Sequence, residues 1–191
     1  MDIQLSHIAK QFDQKMVLTD LNVIFPEGKI SCLMGASGKG KTTIVNMIMG
    51  LVSPDSGEVI GVQGKRIAAV FQEDRLIEHW NAVKNIKLAC DKNVTLEQIE
   101  QELALLGICE ADQKPVLEFS GGMRRRVAII RAMLAKSDLV ILDEPFRGLD
   151  MALKAQVICY ILDRSKGKTV IVVTHEKEDV RLLEANLVML E

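Results

Sequence analysis

The chain has 191 residues, of which 48% are hydrophobic and only 4% aromatic, and its 24 Lys and Arg nearly balance its 26 Asp and Glu. This length and composition predict one α/β domain with a sizeable core. A net charge of −2 and so few aromatic residues argue against a nucleic-acid partner, and none is expected. The sequence has no run of 18 apolar residues and no visible signal peptide, so it predicts no membrane span of its own.

The four cysteines indicate the redox state of the compartment in which the chain works. Cys32, Cys90, Cys109 and Cys159 are scattered, and no C-x-x-C pair occurs. Each of them lies in an apolar stretch, so we expect four small core residues in a reducing compartment.

In chain order, the apolar spacing switches between strand and helix patterns. Residues 1–25 alternate weakly and predict two antiparallel strands around a turn at residues 10–15. Apolar runs predict further strands at residues 30–34, 58–60, 66–71, 139–142, 169–173 and 187–190. Helical spacing predicts helices over residues 43–49, 82–89, 96–106, 120–134, 157–162 and 180–183. This order predicts a parallel α/β core with an inserted helical lobe.

Between the first buried strand and its helix lies the pattern G-x-x-x-x-G-K-[ST] of a phosphate-binding loop. Its residues are Gly35, Ala36, Ser37, Gly38, Lys39, Gly40, Lys41 and Thr42, and Thr43 follows in the helix. The glycines let backbone N–H groups point at an anion, and the helix adds its positive end. Lys41 is expected to reach the β- and γ-phosphates, and the Thr42 hydroxyl to ligate Mg²⁺. A chance match is expected in fewer than about 1% of chains of this length.

The loop and the order of the predicted strands and helices together predict a P-loop nucleoside triphosphatase fold, with a RecA-like parallel sheet core, an antiparallel β subdomain and a small inserted helical subdomain. The core with its β subdomain is expected to comprise residues 1–75 and 136–191. The helical subdomain is expected at residues 76–135.

Asp143 and Glu144 follow the apolar run 139–142 at the end of a predicted strand. Parallel sheets bind ligands at the carboxyl ends of their strands, so Asp143 is expected to face Mg²⁺ beside Thr42, usually through a water. Glu144 is in position to polarise a water for attack on the γ-phosphate. The alternative is a buried strand that simply surfaces at a polar turn, and the phosphate loop upstream disfavours it.

Three further polar positions are candidates for contact with phosphate. Ser120, Gly121 and Gly122 begin a predicted helix, where a hydroxyl and free N–H groups suit an anion, although a plain helix cap is the common alternative. His175 ends a β-branched strand and is in position to hydrogen-bond the γ-phosphate. Gln72 ends another strand, in position to touch Mg²⁺ or the attacking water. In isolation neither residue would indicate a function.

Arg124, Arg125, Arg126 and Arg131 form the one basic cluster, and Trp80 is the only tryptophan. A solvated helix face with ion pairs is the favoured interpretation of the cluster. Nucleic-acid binding is the minority alternative, since no aromatic residues interleave with the arginines. Trp80 indicates ordinary packing or part of a protein contact surface.

Together these motifs resemble the nucleotide-binding subunit of ABC transporters over nearly the whole chain. In family order they are Walker A at residues 35–42, the Q-loop at 71–74, the signature at 119–123, Walker B at 139–145, the D-loop at 148–150 and the switch histidine at 173–176. Phe12 lies where the family places the aromatic residue that stacks on adenine. Residues 72–77 and 80–83 are similar to the nitrate, sulfonate and taurine importer ATPases.

The resemblance implies a single ABC ATPase domain that binds ATP and Mg²⁺ and hydrolyses the ATP. The implied catalytic residues are Glu144, His175 and Gln72, and the implied metal contacts are Thr42, Gln72 and Asp143. Two copies are expected to pack head to tail, with each ATP between the Walker motifs of one copy and Ser120, Gly121 and Gly122 of the other.

The resemblance further implies that hydrolysis drives a separate membrane permease, which would dock near residues 72–88. Import is the expected direction, and the substrate is set by the permease and any binding protein. The chain is therefore expected to be cytoplasmic and peripheral at the inner face of the cell membrane.

This chain departs from the family pattern in its signature and its length. Met123 replaces the usual Gln and Phe119 the usual Leu. Ser120 and both glycines remain, so phosphate contact in trans is expected to persist with altered strength. The helical lobe is expected to be trimmed, and no regulatory C-terminal domain is expected.

Three other functions remain as alternatives. A soluble ABC-type ATPase acting on DNA or ribosomes is disfavoured by the single nucleotide domain, the absence of a long coiled-coil insertion and the near-neutral charge. A P-loop nucleotide kinase should lack the residues Ser120–Gly122 and His175. A regulatory ATP-binding subunit with little turnover is disfavoured by the intact Glu144 and His175.

Overall fold

The computed structural model describes residues 1–109 and 113–190. The strands are β1 (Ile3–Phe12), β2 (Lys15–Phe25), β3 (Ile30–Gly35), β4 (Ser56–Ile60), β5 (Ile67–Val70), β6 (Leu139–Asp143), β7 (Thr169–Val173) and β8 (Asn186–Leu190). The helices are α1 (Lys41–Ile48), α2 (Ala82–Lys87), α3 (Leu96–Leu105), α4 (Gly121–Leu134), α5 (Met151–Arg164) and α6 (Lys177–Leu182). One turn of 3-10 helix at Val116–Glu118 precedes α4.

The central sheet has five strands in the order β5-β6-β7-β3-β8, and every neighbouring pair runs parallel. Strands β6 and β7 are buried along their whole length, as expected for parallel strands covered on both faces. The predicted parallel α/β core is therefore confirmed. Because all five strands run the same way, their carboxyl ends share one edge of the sheet.

This sheet separates two hydrophobic cores. Side chains along a strand alternate between its faces. In β6, Val140 and Leu142 pack into a core shared with α2, α3, α4 and α5, whereas Leu139 and Ile141 face α1 and the antiparallel strands. The helical lobe thus shares one continuous core with the sheet. The domain boundaries near residues 75 and 136 stay a prediction.

A second, antiparallel sheet has the order β2-β1-β4. Its first two strands form the hairpin predicted from residues 1–25, with irregular register between Leu5 and Gln11. Strand β4 pairs with β1 through Leu5 and Val59. Within the described ranges, no helix is both long and apolar enough to cross a membrane.

The cysteine prediction is largely wrong. Cys32 is fully buried in β3, but Cys90 is only half-buried, and Cys109 and Cys159 are exposed. Cys159 lies in α5 between the buried Ile158 and Tyr160. An apolar stretch on a helix still turns some positions to solvent because its period is 3.6 residues.

Candidate functional site

Most of the predicted site residues meet at the carboxyl edge of the central sheet, around a cavity of about 210 Å³. The cavity is lined by Val17, Ser37, Gly38, Gly40, Lys41, Thr42, Thr43, Gln72, Asp143, Glu144, Val173 and His175. The loop after β3 supplies one wall, and the ends of β5, β6 and β7 supply the others. With Val17 of β2, topology therefore brings together residues from five separate stretches of chain.

The phosphate loop has the backbone that its sequence predicts. Gly40 has φ +87 and is the N-cap of α1, which has no side-chain cap. Its first N–H groups are therefore left to a ligand. A Cβ on Gly40 would lie 2.7 Å from Cδ2 of Leu18. Only glycine satisfies both the left-handed backbone and this close approach.

Lys41 closes the loop on itself. Its Nζ donates to the carbonyl oxygens of Gly35 at 2.8 Å and Ala36 at 2.9 Å. The residue is 7% exposed, although it carries a charge, and these two carbonyls solvate its ammonium group. Gly35, Ala36 and Lys39 belong to the loop but do not line the cavity. Their predicted role in binding the nucleotide stays a prediction.

Asp143 is a buried carboxylate that lacks a full set of partners. It is 4% exposed, and its Oδ1 has no hydrogen-bond partner. Burial, and then the neighbouring Glu144 carboxylate, raise the pKa of Asp143. Arg125, Lys41 and His175 act in the opposite direction. An unpaired buried carboxylate oxygen beside a phosphate loop is what a hard cation such as Mg²⁺ requires.

We expect Asp143→Asn to raise the melting temperature of the nucleotide-free chain at neutral pH by about 2–4 °C, and to abolish Mg²⁺-dependent ATP hydrolysis. Since folding raises the pKa of Asp143, its charged form opposes folding at neutral pH. That cost disappears as the pH falls through the folded-state pKa. The increase in melting temperature of the Asn variant should therefore become smaller in acid. Thermal unfolding followed by circular dichroism at several pH values, without Mg²⁺, would measure this.

Asp138 provides the control for this prediction. Its carboxylate pairs with the Arg66 guanidinium at 2.9 Å, which lowers the pKa of Asp138. Asp138→Asn should therefore lower the melting temperature at neutral pH. Equal melting temperatures for the Asp143→Asn variant and the parent at neutral pH would contradict the description of Asp143 as a desolvated anion.

Glu144 has a left-handed backbone, with φ +49, which is uncommon outside glycine and typical of functional sites. Its N–H donates to the carbonyl of Val173 at 3.0 Å. This turn points the carboxylate back over the sheet edge, where its Oε1 lies 3.0 Å from Nε2 of His175. The predicted base and the predicted switch histidine are thus in direct contact.

The three predicted signature residues lie outside this cavity. Ser120 and Gly121 are exposed at the start of α4, where the Ser120 hydroxyl accepts from the N–H of Met123 at 3.2 Å. A Cβ on Gly122 would lie 3.5 Å from Leu149. None of the three lines the cavity, so the signature does not complete the pocket of its own chain. Its contact with a phosphate stays a prediction.

Phe12 also lies apart, at the end of β1. It does not line the cavity and is 43% exposed, whereas Val17, in the next strand, does line it. Adenine stacking on Phe12 stays a prediction. Val17 and Val173 were missed, because nothing in an apolar strand residue marks it as lining a pocket.

The favoured interpretation of the arginine cluster is wrong for its central members. Arg125 and Arg126 are 6% and 7% exposed and donate to main-chain carbonyls instead of facing solvent. Arg126 bonds the carbonyls of Leu106 and Gly122. Helical spacing alone could not show this, because the carbonyls of Phe71, Gln72 and Leu106 lie on other segments of the chain.

Comparisons with known proteins agree with this geometry. Residues 18–147 match the family described as ABC transporter. The taurine import ATP-binding protein TauB of Escherichia coli O157:H7 is 34% identical over 98% of this chain and 79% of its own length. The spermidine/putrescine import ATP-binding protein PotA of Spiroplasma citri is also 34% identical over 98% of this chain.

The chain spans 58% of that PotA, and 52% of the PotA of Fusobacterium nucleatum, to which it is 30% identical. The structure of a bacterial Atm1-family ABC exporter with ATP bound superposes on the whole chain with a TM-score of 0.85 at 17% identity, over 37% of that exporter chain. This likeness confirms the P-loop fold, and TauB confirms the resemblance to taurine importer ATPases. The chain therefore belongs to the ABC transporter family.

Proposed function

We propose that this chain hydrolyses Mg-ATP at a head-to-tail dimer interface and so drives import through a partner membrane permease. One observation carries the proposal: Lys41, Asp143 and the Glu144–His175 pair converge on one cavity. A phosphate cradle, a cation ligand and a base for water then occupy the same sheet edge. These are the components that phosphoryl transfer to water requires.

The binding of Mg²⁺ rests on donors that fit it. The unpartnered Oδ1 of Asp143, the exposed Thr42 hydroxyl and the Gln72 amide border the same cavity. Mg²⁺ prefers such oxygen donors and takes only one or two carboxylates when phosphates supply the rest. This agrees with the finding that residues 1–109 and 113–190 contain no cluster of three or more His, Cys, Asp or Glu able to hold a metal. When bound, Mg²⁺ would neutralise charge on the phosphates.

The remaining chemistry falls to side chains of the chain. On binding of ATP, the Lys41 ammonium exchanges the carbonyls of Gly35 and Ala36 for phosphate oxygens, which carry full negative charge. Glu144 then orients a water and accepts its proton. His175, which contacts Glu144 without nucleotide, is placed to donate to the γ-phosphate once that contact breaks.

The head-to-tail dimer follows from what this cavity lacks. Ser120, Gly121 and Gly122 do not line it, yet they present an exposed hydroxyl and a helix N-terminus. A second copy that contributes these residues would close the open side of the cavity over ATP. The departures at Met123 and Phe119 leave Ser120 and both glycines intact. We therefore propose that these residues still contact the ATP bound by the other copy.

Import through a permease is supported by the relatives, since the TauB and PotA proteins are both import ATP-binding proteins. A chain peripheral to the inner face of the membrane follows from that role. The soluble ATPase and the nucleotide kinase are not favoured by these relatives. The transported substrate is left open, because the relatives name taurine in one case and spermidine and putrescine in the other.

Co-expression of this chain with a candidate multi-span permease tests the proposal. The chain is expected to co-purify with that protein in membranes, and its Mg²⁺-dependent release of phosphate from ATP should depend on the complex. Hydrolysis that responds to DNA or ribosomes but not to the membrane protein would support the soluble alternative instead.

A further inference from the structure

Two arginines of α4 hold the main chain of the Q-loop. Arg125 donates through Nη1 to the carbonyl of Phe71 at 2.6 Å, and through Nη2 to that of Gln72. Arg131 donates to the carbonyls of Asp74 and Arg75, at 3.0 and 2.9 Å. Four of the five carbonyls in residues 71–75 are thus acceptors from a single helix. We call Arg125 and Arg131 the arginine clamp.

Two further contacts stiffen the clamped segment. The Nε of Arg125 lies 3.1 Å from the Asp74 carboxylate, and both side chains are largely buried. The Arg75 guanidinium stacks 3.7 Å above the Phe71 ring. Because the guanidinium is a planar fork with five donors, Arg125 donates to two carbonyls while its charge pairs with the Asp74 carboxylate. The segment is therefore attached to α4 through its main chain.

The clamp joins two parts of the proposed ATP site. The Gln72 side chain lines the cavity of its own chain, while its carbonyl is held by Arg125. Arg125 lies one turn into α4, and the same helix begins at the signature residues Ser120–Gly122. The clamp therefore links Gln72, predicted to touch Mg²⁺ or the attacking water at one ATP, to the residues proposed to touch the other ATP of the dimer.

Arg125 is a buried arginine whose partners are all polar. It is 6% exposed, and its guanidinium lies against the carbonyls of Phe71 and Gln72 and the Asp74 carboxylate. A residue that served packing alone would not need these partners, since a buried apolar side chain fills space without a desolvation cost.

We propose that Arg125 and Arg131 are positioning residues that couple the two ATP sites of the dimer. They transmit the position of Gln72 at one nucleotide, through α4, to the signature residues that close over the other. This inference rests on the head-to-tail dimer of the proposed function. Neither arginine needs to touch nucleotide.

The test replaces Arg125 with Met, which retains an unbranched stem and removes the guanidinium. Affinity of the monomer for ATP, measured at concentrations too low for dimers, should stay within about twofold, because the phosphate loop is untouched. The Hill coefficient of ATP hydrolysis should fall from about 2 to about 1, and kcat should fall about tenfold. Combined with Glu144→Gln, the change should lower the fraction of ATP-trapped dimer in light scattering.

Two further variants keep the test decisive if Arg125→Met folds poorly. Arg131→Met breaks the other half of the clamp and should lower the Hill coefficient in the same way. Arg125→Lys keeps the charge but not the fork, so it should restore activity only in part. The control is Arg164→Met. Arg164 pairs with Glu102 of α3 and with its neighbour Asp163, so the Hill coefficient of this variant should match the parent.

The outcomes separate this inference from the proposed function. If the parent hydrolyses ATP cooperatively and both clamp variants keep its Hill coefficient and trapped dimer, the coupling is wrong and the proposed function stands. If the parent does not hydrolyse ATP and its Glu144→Gln variant forms no dimer with ATP, the proposed function fails. The coupling then fails with it.

Discussion

Replacing Glu144 with Gln should lower ATP hydrolysis by about 100- to 10,000-fold while leaving ATP binding intact. The amide has the size and backbone preferences of the carboxylate, so the turn at φ +49 and the contact with His175 can persist. It cannot accept a proton from water, so the cycle should stop with ATP bound. We therefore expect Mg-ATP to trap a dimer of this variant.

Phosphate release would measure hydrolysis, equilibrium titration would measure ATP binding, and light scattering would measure the dimer. Glu184→Gln is a matched control, since Glu184 is exposed and has the same φ of +49 but lies in the turn between α6 and β8. It should hydrolyse ATP at the parental rate. A Glu144→Gln chain that stays monomeric with ATP and hydrolyses it normally would refute the role of Glu144 as the base.

Replacing Lys41 with Ala should weaken ATP binding by at least about 100-fold, because the change removes the one ammonium group in the wall of the cavity. The loop should also loosen. The carbonyls of Gly35 and Ala36 lose the donor that now joins them, and each lost hydrogen bond costs about 1 kcal/mol. Titration with ATP and thermal unfolding would report the two effects separately.

Lys39→Ala provides the control within the same loop. Lys39 is exposed and does not line the cavity, and its main-chain N–H remains in the alanine variant. We expect a change in ATP affinity of no more than about threefold from the loss of a screened surface charge. Similar affinities for Lys41→Ala and the parent would show that Lys41 does not bind the phosphates.

Much of the site could be predicted because its chemistry depends on local spacing. A phosphate loop needs glycines, Lys41 and Thr42 at fixed offsets, and an acidic pair at a strand end needs only the residues Leu139–Glu144. The parallel sheet then brings these stretches together, because its strand ends share one edge. Val17 and Val173 escaped prediction since an apolar residue in a strand has no such local mark.

The arginines show where prediction from sequence ends. Spacing placed Arg125 correctly on a helix but indicated a solvated face, whereas its guanidinium is buried against carbonyls 53 and 54 positions away in the chain. The prediction for Cys109 and Cys159 failed for a related reason, since the exposure of a residue depends on what packs against it. Neither feature has a signal in neighbouring residues.

The sequence by itself therefore determined the family, the parallel α/β core and the chemical groups at the nucleotide pocket. The tertiary structure alone decided the contact between Glu144 and His175, the unpaired oxygen of Asp143 and the arginine clamp on residues 71–75. The physical reason is the distance along the chain over which each effect acts. Propensity, capping and loop chemistry act over a few residues, but burial and the pairing of charges depend on which distant segments the folded chain brings into contact.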